Sequence, residues 1–406
     1  MKRAILVLLV LSTLPSGLAV AREADPPEAQ ATTTITGRGF GHGRGMSQYG
    51  AQGAAIAGKT VRQILDFYYP GTAVGKATGN IRIRLTADTT DGVRVVATDN
   101  LRLRDLRAGK VHTLPKASTR NEWSIDPYGE HGTRVSSFDA KKRTWTLWRT
   151  LKGMAQFEGP GVIALVLPSG DQAGYRGMIR ATDVAGSHLD TVNVVPLETY
   201  LKGVVPREAV VTWRPAALQA QAVAARTYAA YYRLRAGNQA YDLCDTIACQ
   251  VYGGSDAEQP STNAAVAATA GQVRLYRNTP IIAEFSSSNG GATAAGDAPY
   301  QILKMDSWDA YPGNRNPNAS WTVTRPTAEI QAAFGVGAIR SLQVLSRTGV
   351  GPGGGRVVTV EAAGAAGTKA MTGDQLRGRL SLRSAWFTFV PPPPSLLDIP
   401  TGAQIP

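Results

Sequence analysis

The sequence predicts an α+β protein in which a β-rich part lies beside a long alanine-rich helix. Apolar and polar residues alternate along residues 80–195, as in Ile81 to Leu85, and this period of two is typical of half-buried strands. Residues Pro215 to Ala236 have an alanine-rich interior, a proline at the first turn and Gly237 just beyond the end, which together predict one helix. A second mixed segment follows at residues 321–390.

Two short helices are predicted ahead of the β-rich part. Ser47 is placed to cap the first, which should stop at Gly58. Residues Thr60 to Gln63 have the form of a capping box, and the apolar spacing that follows predicts an amphipathic helix ended by Pro70-Gly71.

The C-terminal segment predicts helices at residues 327–334 and 373–380 and a hairpin over residues 342–360. The hairpin turn, residues 351–355, is rich in glycine but lacks the Gly-Lys-Ser/Thr ending and the following helix of a phosphate-binding loop. We therefore interpret it as a turn. Pro391 to Pro394 open a tail that is expected to be extended.

Composition indicates a globular protein with a basic surface. The chain has 406 residues, 43% of them hydrophobic and 18% charged, which excludes disorder over most of its length. Lys and Arg number 43 against 30 Asp and Glu, a net charge of +13. Such a balance suits an anionic partner such as nucleic acid, a membrane surface or an acidic wall polymer, and an arginine-heavy composition without functional meaning is the alternative.

The N-terminus has the pattern of an export signal. Lys2 and Arg3 precede a short apolar run, and Ala19-Val20-Ala21 has the small-x-small form of a cleavage site. Because the apolar run is shorter than the roughly 20 residues of a membrane span, and no later segment is long and apolar enough, we expect no membrane span after cleavage. Loss of residues 1–21 would reduce the charge by two, to +11. Export favours a secreted or cell-envelope protein and disfavours a nucleic-acid partner.

The two cysteines, Cys244 and Cys249, enclose four residues. In an oxidising compartment such a pair predicts a disulfide. Half of a tetrahedral metal site is the alternative, although the four histidines include none after His188. We expect no metal and no cofactor.

Glu208 is the best-placed candidate for catalysis. It lies in an otherwise apolar stretch, residues 204–211, just ahead of the long helix. Apolar surroundings raise the pKa of a carboxyl group, as a general acid requires near neutral pH. If the segment is extended, Arg207 and Glu208 point to opposite faces. The alternative is that Glu208 pairs with an arginine and only holds a loop.

These residues belong to a longer pattern. PLETYLKGVVPRE at residues 196–208, followed by WRPAALQAQAVAARTY at residues 213–228, closely resembles the signature of the SpoIID/LytB family of bacterial envelope proteins. CQVYGG at residues 249–254, FSSSNGGAT at residues 285–293 and scattered positions between Met371 and Phe389 resemble later blocks of the family. GHGRGMSQYGA at residues 41–51 is similar to another of its motifs.

That last motif usually ends the family domain, whereas here it lies at the N-terminal end. The resemblance therefore implies a circularly permuted order over about residues 35–390, which requires termini that lie close together. It predicts that the His42 loop packs beside the Glu208 segment, although 166 positions separate them in the sequence.

The resemblance also implies an activity, lytic transglycosylation of peptidoglycan glycan strands. The bond from MurNAc to GlcNAc is cut without water, and a 1,6-anhydro-MurNAc end forms. Glu208 matches the catalytic glutamate of the family. Because the C6 hydroxyl of the sugar attacks, one carboxyl can serve as acid and then as base, whereas an ordinary glycosidase uses two.

Other polar residues of the matching blocks are candidates for substrate contact. Helical spacing places Gln221 and Tyr228 on one face of the long helix, with Arg226 off that line. For each of these three, the alternative is a structural role. For Ser287, Ser288 and Asn289 the alternative is that they only form a turn. For Tyr252 and Trp308 the alternative is a place in the hydrophobic core. The substrate-contact candidates are His42, Gln48, Gln221, Arg226, Tyr228, Gln250, Tyr252, Ser287, Ser288 and Asn289.

The partners that follow are peptidoglycan glycan strands and anionic wall polymers. A non-catalytic wall-binding protein or amidase enhancer, which would act with a cell-wall amidase, is the alternative that the LytB side of the family suggests. We expect this organisation: a leader at 1–21, a spacer at 22–34, the His42 motif with two short helices at 35–79, a β-rich part at 80–195, a catalytic core at 196–310, an α+β part at 311–390 and a tail at 391–406.

Overall fold

A computed structural model describes residues 31–115, 120–184 and 188–390. The expected leader, most of the spacer and the proline-rich tail lie outside the described residues. Within these ranges the protein has a mixed α+β structure, as the sequence predicts. Its helices are α1 (Gln48–Ile56), α2 (Val61–Tyr68), α3 (Leu197–Glu208), α4 (Pro215–Ala236), α5 (Pro260–Ala268), α6 (Thr327–Phe334) and α7 (Gly373–Arg379).

Local capping signals predicted several helix ends correctly. Ser47 caps α1 by accepting a hydrogen bond from the Gly50 amide, and Thr60 forms the expected capping box of α2 with Gln63. Helix α4 has the expected bounds, and Gly237 follows it with a φ of 52°, a conformation that favours glycine. The hairpin also forms, from strands Ile339–Arg347 and Val357–Gly364.

Two large antiparallel sheets occupy most of the β-rich part. In spatial order, the six-stranded sheet contains Thr144–Leu151, Gly132–Asp139, Glu122–Tyr128, Val93–Val96, Ile163–Val166 and Gln172–Tyr175. The seven-stranded sheet contains Leu243–Cys244, Asn80–Arg84, Leu189–Pro196, Met178–Asp183, Ala155–Glu158, Arg102–Asp105 and Lys110–Thr113, of which only the short first strand pairs in parallel.

The remaining strands form smaller sheets around this body. Three have three strands: Trp321–Pro326, Thr32–Gly37 and Phe387–Val390; Ile339–Arg347, Val357–Gly364 and Gly367–Thr372; and Thr279–Pro280, Gln272–Tyr276 and Ala73–Lys76. A two-stranded parallel pair joins Met46–Ser47 to Phe285–Ser286.

One hydrophobic core joins the two large sheets to α3 and α4. Trp123 from the six-stranded sheet, Ile83 from the seven-stranded sheet and Val204 from α3 are all fully buried in it. Helix α4 is buried on two sides: Ala225 packs in this core, whereas Ala224 packs in a second core with α1 and α2. Alanine at these positions lets other elements approach the helix closely, and α4 contributes Tyr228 to the cavity described below.

The two ends of the described chain lie side by side. Strand Thr32–Gly37 pairs on one edge with Trp321–Pro326 and on the other with Phe387–Val390. This arrangement meets the geometric condition that a permuted order requires. It also places residues 38–47 against the segment around Phe285.

The segment before α4 differs from the extended alternative weighed in the sequence. Residues Leu197 to Glu208 are helical, with Pro206 in the last turn, and Ala209 is the first extended residue. Fully buried apolar side chains of this segment, including Leu201, Val204 and Val205, pack into the main core. Burial of one helical face therefore outweighs the strand preference of the valines.

Candidate active site

A cavity of about 460 Å³ opens where α3, α4 and the glycine-rich N-terminal loop meet. It brings together segments that are far apart in the sequence. Its lining is Phe40, Gly41, His42, Gln48, Glu208, Tyr228, Ile247, Ala248, Cys249, Val251, Glu284, Phe285, Ser286 and Ser287. His42 and Glu208 thus share one cavity.

Glycine geometry holds the N-terminal loop against the segment that follows Ile281. Gly45 has a φ of 65°, and a Cβ there would lie 2.0 Å from the Glu284 carbonyl oxygen. The amide of Phe40 donates to the carbonyl of Ser288, and Met46 pairs with Phe285. Close backbone approach of this kind requires glycine, and it positions His42 at the cavity.

A buried carboxylate fixes the start of α1. Asp309 is fully buried and accepts hydrogen bonds from the Ser47 hydroxyl at 2.5 Å and the Ser288 hydroxyl at 2.7 Å. The amides of Asn289 and Gly290 also donate to it. Because Ser47 caps α1, this network sets the position of Gln48, the first residue of that helix.

Glu208 is the last residue of α3, and its half-buried carboxyl group reaches the cavity. Oε1 accepts a hydrogen bond of 3.1 Å from the Val251 amide, and the Gln48 side chain is also hydrogen-bonded to the carboxyl group. No ion pair of Glu208 occurs within the described part of the chain. The neighbouring Arg207 lies instead against Gly253.

The surroundings of Glu208 favour its protonated form. Burial raises the pKa of the Glu208 carboxyl, and the two hydrogen bonds only partly oppose that rise. The negative end of the α3 dipole acts in the same direction as burial. A carboxyl group of this kind is suited to donate a proton to a bound ligand.

His42 is held as a neutral hydrogen-bond donor. Burial lowers the pKa of His42 to about 4, and the positive charge of Arg44 acts in the same direction. The Arg44 amide donates to Nδ1 at 3.0 Å. Since Nδ1 accepts that bond, the proton of the neutral ring is on Nε2, which remains available as a donor.

The sequence interpretation missed a second carboxyl group in this cavity, that of Glu284. Arg44 holds it with two hydrogen bonds of 2.9 and 2.8 Å, and the Gln301 amide donates to the same group. This pairing lowers the pKa of Glu284, although burial acts in the opposite direction. The available signal was the same as for Glu208, a single acid within an apolar run, Ile281 to Phe285.

Tyr228 and Ser287, two of the candidates for substrate contact, also line the cavity. Tyr228 packs against Tyr232 with ring centroids 4.6 Å apart, and burial raises the pKa of Tyr228 so that its hydroxyl stays protonated. The cavity mouth carries exposed apolar side chains: Ile247 is 93% and Phe40 is 47% exposed.

Three other candidates, on the helix and in the CQVYGG block, have structural roles. Arg226 is fully buried and forms two hydrogen bonds of 2.8 Å with Glu198. Gln250 accepts a hydrogen bond from Tyr200, and Tyr252 donates to Asn193 at 2.8 Å. None of the three lines the cavity.

The remaining candidates lie away from the lining as well. Ser288 donates to Asp309, and Asn289 donates to Asp306 at 2.7 Å, so both build the network beneath α1. Gln221 is 1% exposed, and its amide makes no hydrogen bond among the described residues. Trp308 packs on Phe67 with ring centroids 4.5 Å apart. The sequence alone does not separate polar residues that build a loop from polar residues that contact a ligand.

The cysteine loop forms another wall of the cavity. Cys244 and Cys249 are joined by a disulfide, with 5.5 Å between their Cα atoms. The loop and the segment after it place Ile247, Ala248, Cys249 and Val251 in the lining beside Glu208. In the part of the chain that the structure describes, no group of three His, Cys, Asp or Glu side chains could hold a metal, and no helix has the length and hydropathy of a membrane span.

Part of the cavity lining lies in a segment that matches a known protein family. Residues 185–276 match the family model of SpoIID, described as stage II sporulation protein. This match contains Glu208, Tyr228 and the cysteine loop, whereas His42 and Glu284 lie outside it.

Individual proteins match this chain over longer stretches than the family model does. The chain is 42% identical over 130 residues to the amidase enhancer of Bacillus subtilis (strain 168), covering 30% of this chain and 16% of that protein. It is 33% identical over 220 residues to stage II sporulation protein D of the same strain, and 35% identical over 224 residues to that of Bacillus amyloliquefaciens. Each of these two matches covers 48% of this chain and 61% of the relative.

Proposed function

We propose that this chain, a member of the SpoIID/LytB family, is an exported peptidoglycan lytic transglycosylase in which Glu208 is the acid and then the base. The observation that carries the proposal is the Glu208 carboxyl in a cavity, with a pKa raised by burial and no cationic partner among the described residues. The family relationship supports a role at the cell wall.

The proposed reaction needs a single proton carrier. Protonated Glu208 donates to the oxygen that links MurNAc to GlcNAc, and the bond from that oxygen to C1 breaks. The C6 hydroxyl of the same MurNAc then attacks C1, and the Glu208 carboxylate takes the hydroxyl proton. Glu208 returns to its protonated state, no water is consumed, and the product is a 1,6-anhydro end.

Other cavity residues have supporting roles in this proposal. The Nε2–H of His42 and the hydroxyls of Tyr228 and Ser287 would donate to sugar oxygens. Phe40 and Ile247 at the mouth would pack against the apolar faces of sugar rings. The net charge of +11 that remains after loss of residues 1–21 would hold the protein near an anionic wall by attraction that salt weakens.

The test is product analysis with Glu208→Gln, which keeps the shape of the side chain but cannot carry the proton. Purified glycan strands are digested and the ends are identified by mass spectrometry. We expect the unmutated protein to form anhydro ends and the variant to form them about 100-fold to 10,000-fold more slowly. Glu130→Gln, at a side chain that is 90% exposed, is the matched control and should act normally. Equal product from Glu208→Gln would remove Glu208 from its role.

A second candidate function follows from the relative named amidase enhancer. In that case the same cavity binds wall glycan without cutting it, and the protein assists a cell-wall amidase. The absence of anhydro ends from the unmutated protein, together with faster wall digestion when it is added to an amidase, would favour this function. Glu208→Gln should then leave the enhancement unchanged.

A further inference from the structure

A second cavity, of about 530 Å³, lies on the outer face of the six-stranded sheet. It shares no lining residue with the Glu208 cavity. Its lining is Arg94, Ser124, Asp126, Tyr128, Arg134, Ser136, Trp145, Leu147 and Thr150. We call this cavity the sheet groove.

Strand register builds the sheet groove. Leu147 is opposite Ser136, Ser136 is opposite Ser124, and Ser124 is opposite Arg94, so these side chains form one row across four strands. Alternation sends the intervening residues Trp123 and Val135 into the core, where they are fully buried. The core face is therefore apolar, whereas the groove face carries hydroxyl and charged groups.

The charged groups that line the sheet groove each have a partner of opposite charge. Arg94 contacts Glu122 at 2.5 Å, and Arg134 lies 3.9 Å from Asp126, which also accepts a hydrogen bond of 2.8 Å from Ser124. Each lining arginine thus has a carboxylate beside it. The floor offers hydrogen-bond donors and acceptors with little net charge, a surface that suits a neutral ligand with many hydroxyl groups better than a polyanion.

Aromatic rings stand at the rim of the sheet groove. Trp145 is 42% exposed and Tyr128 is 55% exposed. The Trp145 ring is held by Phe138, with centroids 5.2 Å apart, and by the Arg94 guanidinium 5.4 Å from its centroid. A ring that is fixed before binding offers a large contact area at a small entropic cost. A pyranose ring has an apolar face of C–H groups that can pack on an aromatic ring at the rim. The hydroxyls at its edge can form hydrogen bonds with the polar groups of the floor.

We propose that the sheet groove is a second glycan-binding site, separate from the Glu208 cavity, that binds a sugar chain through its uncharged hydroxyl and acetamido groups. That this chain is a wall glycan rests on the proposed function. The two sites share one hydrophobic core, because Trp123 beneath the groove and Val204 of α3 both lie in it. A long strand that engages both sites is held more tightly than one that engages either alone.

The first test measures binding in the Glu208→Gln protein, so that cleavage does not interfere. The probes are peptide-free glycan strands, which carry one lactyl carboxylate on each MurNAc, the neutral hexamer of N-acetylglucosamine, and polyphosphate as a densely charged polyanion. Trp145→Ala should weaken binding of both sugars about tenfold or more, and Trp145→Phe should restore part of it. Leu234→Ala, which removes a side chain that is 62% exposed outside both cavities, is the matched control. Unchanged sugar binding by Trp145→Ala, or tighter binding of polyphosphate than of the hexamer, would overturn the proposal.

A second measurement separates this proposal from the proposed function. In the active protein, Trp145→Ala should raise KM for long strands and leave kcat and the turnover of short fragments unchanged. A loss of kcat on short fragments would contradict a site remote from the cleaved bond. If no anhydro product forms with any variant but Trp145→Ala still weakens binding, the proposed function fails and the second site stands.

Discussion

Two walls of the Glu208 cavity present the same functional group in opposite states. On the α3 wall, Glu208 lacks a cationic partner among the described residues, and burial raises its pKa. On the facing wall, Glu284 is gripped by Arg44 and Gln301, and its pKa is lowered. Side-chain identity therefore does not decide which carboxyl can carry a proton. The groups around each carboxyl decide.

The two carboxyl groups also affect the stability of the folded state in opposite ways. Glu284 is ionised and bound, so it stabilises the folded state by joining the segment after Ile281 to the glycine-rich loop through Arg44. Glu208 is kept from its preferred hydration, so its ionised form opposes folding. Substitution by glutamine should therefore change the free energy of unfolding in opposite directions.

The larger effect is expected for Glu284→Gln. Loss of the charge weakens two hydrogen bonds to Arg44, and we expect the free energy of unfolding at pH 7 to fall by about 1–3 kcal/mol. The folded-state pKa of Glu284 is below its ordinary value of 4.5. Its stabilising contribution is therefore present above about pH 4.5 and is lost as pH falls through the folded-state pKa. Urea unfolding at pH 7 and pH 3 should show a deficit that shrinks in acid.

A matched control for this comparison is Glu361→Gln, at an exposed hydrogen-bonded pair in the C-terminal hairpin. It should not change the free energy of unfolding by more than about 0.5 kcal/mol. A Glu284→Gln deficit that stays the same at pH 3 would mean that packing, and not charge, is what Glu284 supplies.

A smaller effect of opposite sign is expected for Glu208→Gln. Because the folded-state pKa of Glu208 is above 4.5, the folded protein binds this proton more tightly than the unfolded chain does. Stability is therefore lost as pH rises from about 4.5 through the folded-state pKa. The glutamine variant escapes this loss, so it should unfold at higher urea than the unmutated protein at pH 7 and at the same urea at pH 3. A destabilised variant at pH 7 would show that the Glu208 carboxylate is well solvated or paired in the fold.

How much of this the sequence could predict depends on how local each cause is. The caps at Ser47 and Thr60 and the bounds of α4 follow from neighbouring residues and were predicted. The helical state of residues 197–208 was not, because it depends on burial of Leu201 and Val204 against distant sheets. Local preference therefore failed where tertiary packing decides.

The same distinction between local and distant causes applies to the residues of the candidate site. Glu208 was identified from its apolar neighbours and from the family resemblance, and its shared cavity with His42 follows from the resemblance alone. Arg226 and Asn289 were candidates for substrate contact. Their structural roles could not be predicted, because their hydrogen-bond partners Glu198 and Asp306 are not adjacent to them in the sequence. Glu284 was missed because its partner Arg44 is 240 positions away.

The smallest expected effect is a change in the pKa of Glu208 when Gln48 is replaced. The Gln48 hydrogen bond favours the ionised carboxyl and so lowers the pKa of Glu208 against the effect of burial. Gln48→Leu keeps a similar volume and removes that bond, so the pKa should rise further. Since Glu208 must be protonated to begin the proposed reaction, activity falls as pH increases through this pKa. The variant should therefore move the basic limb of kcat/KM, which reports the free enzyme, to higher pH.

Gln52→Leu is the matched control, one turn further along α1. The Gln52 side chain accepts a hydrogen bond from the Arg214 amide at 2.9 Å and does not line the cavity. Its loss should lower stability and leave the basic limb in place. A limb that moves to lower pH in Gln48→Leu, or one that moves equally in both variants, would show that the Gln48 contact does not set the proton affinity of Glu208. The contrast between the two walls would then rest on burial and on Arg44 alone.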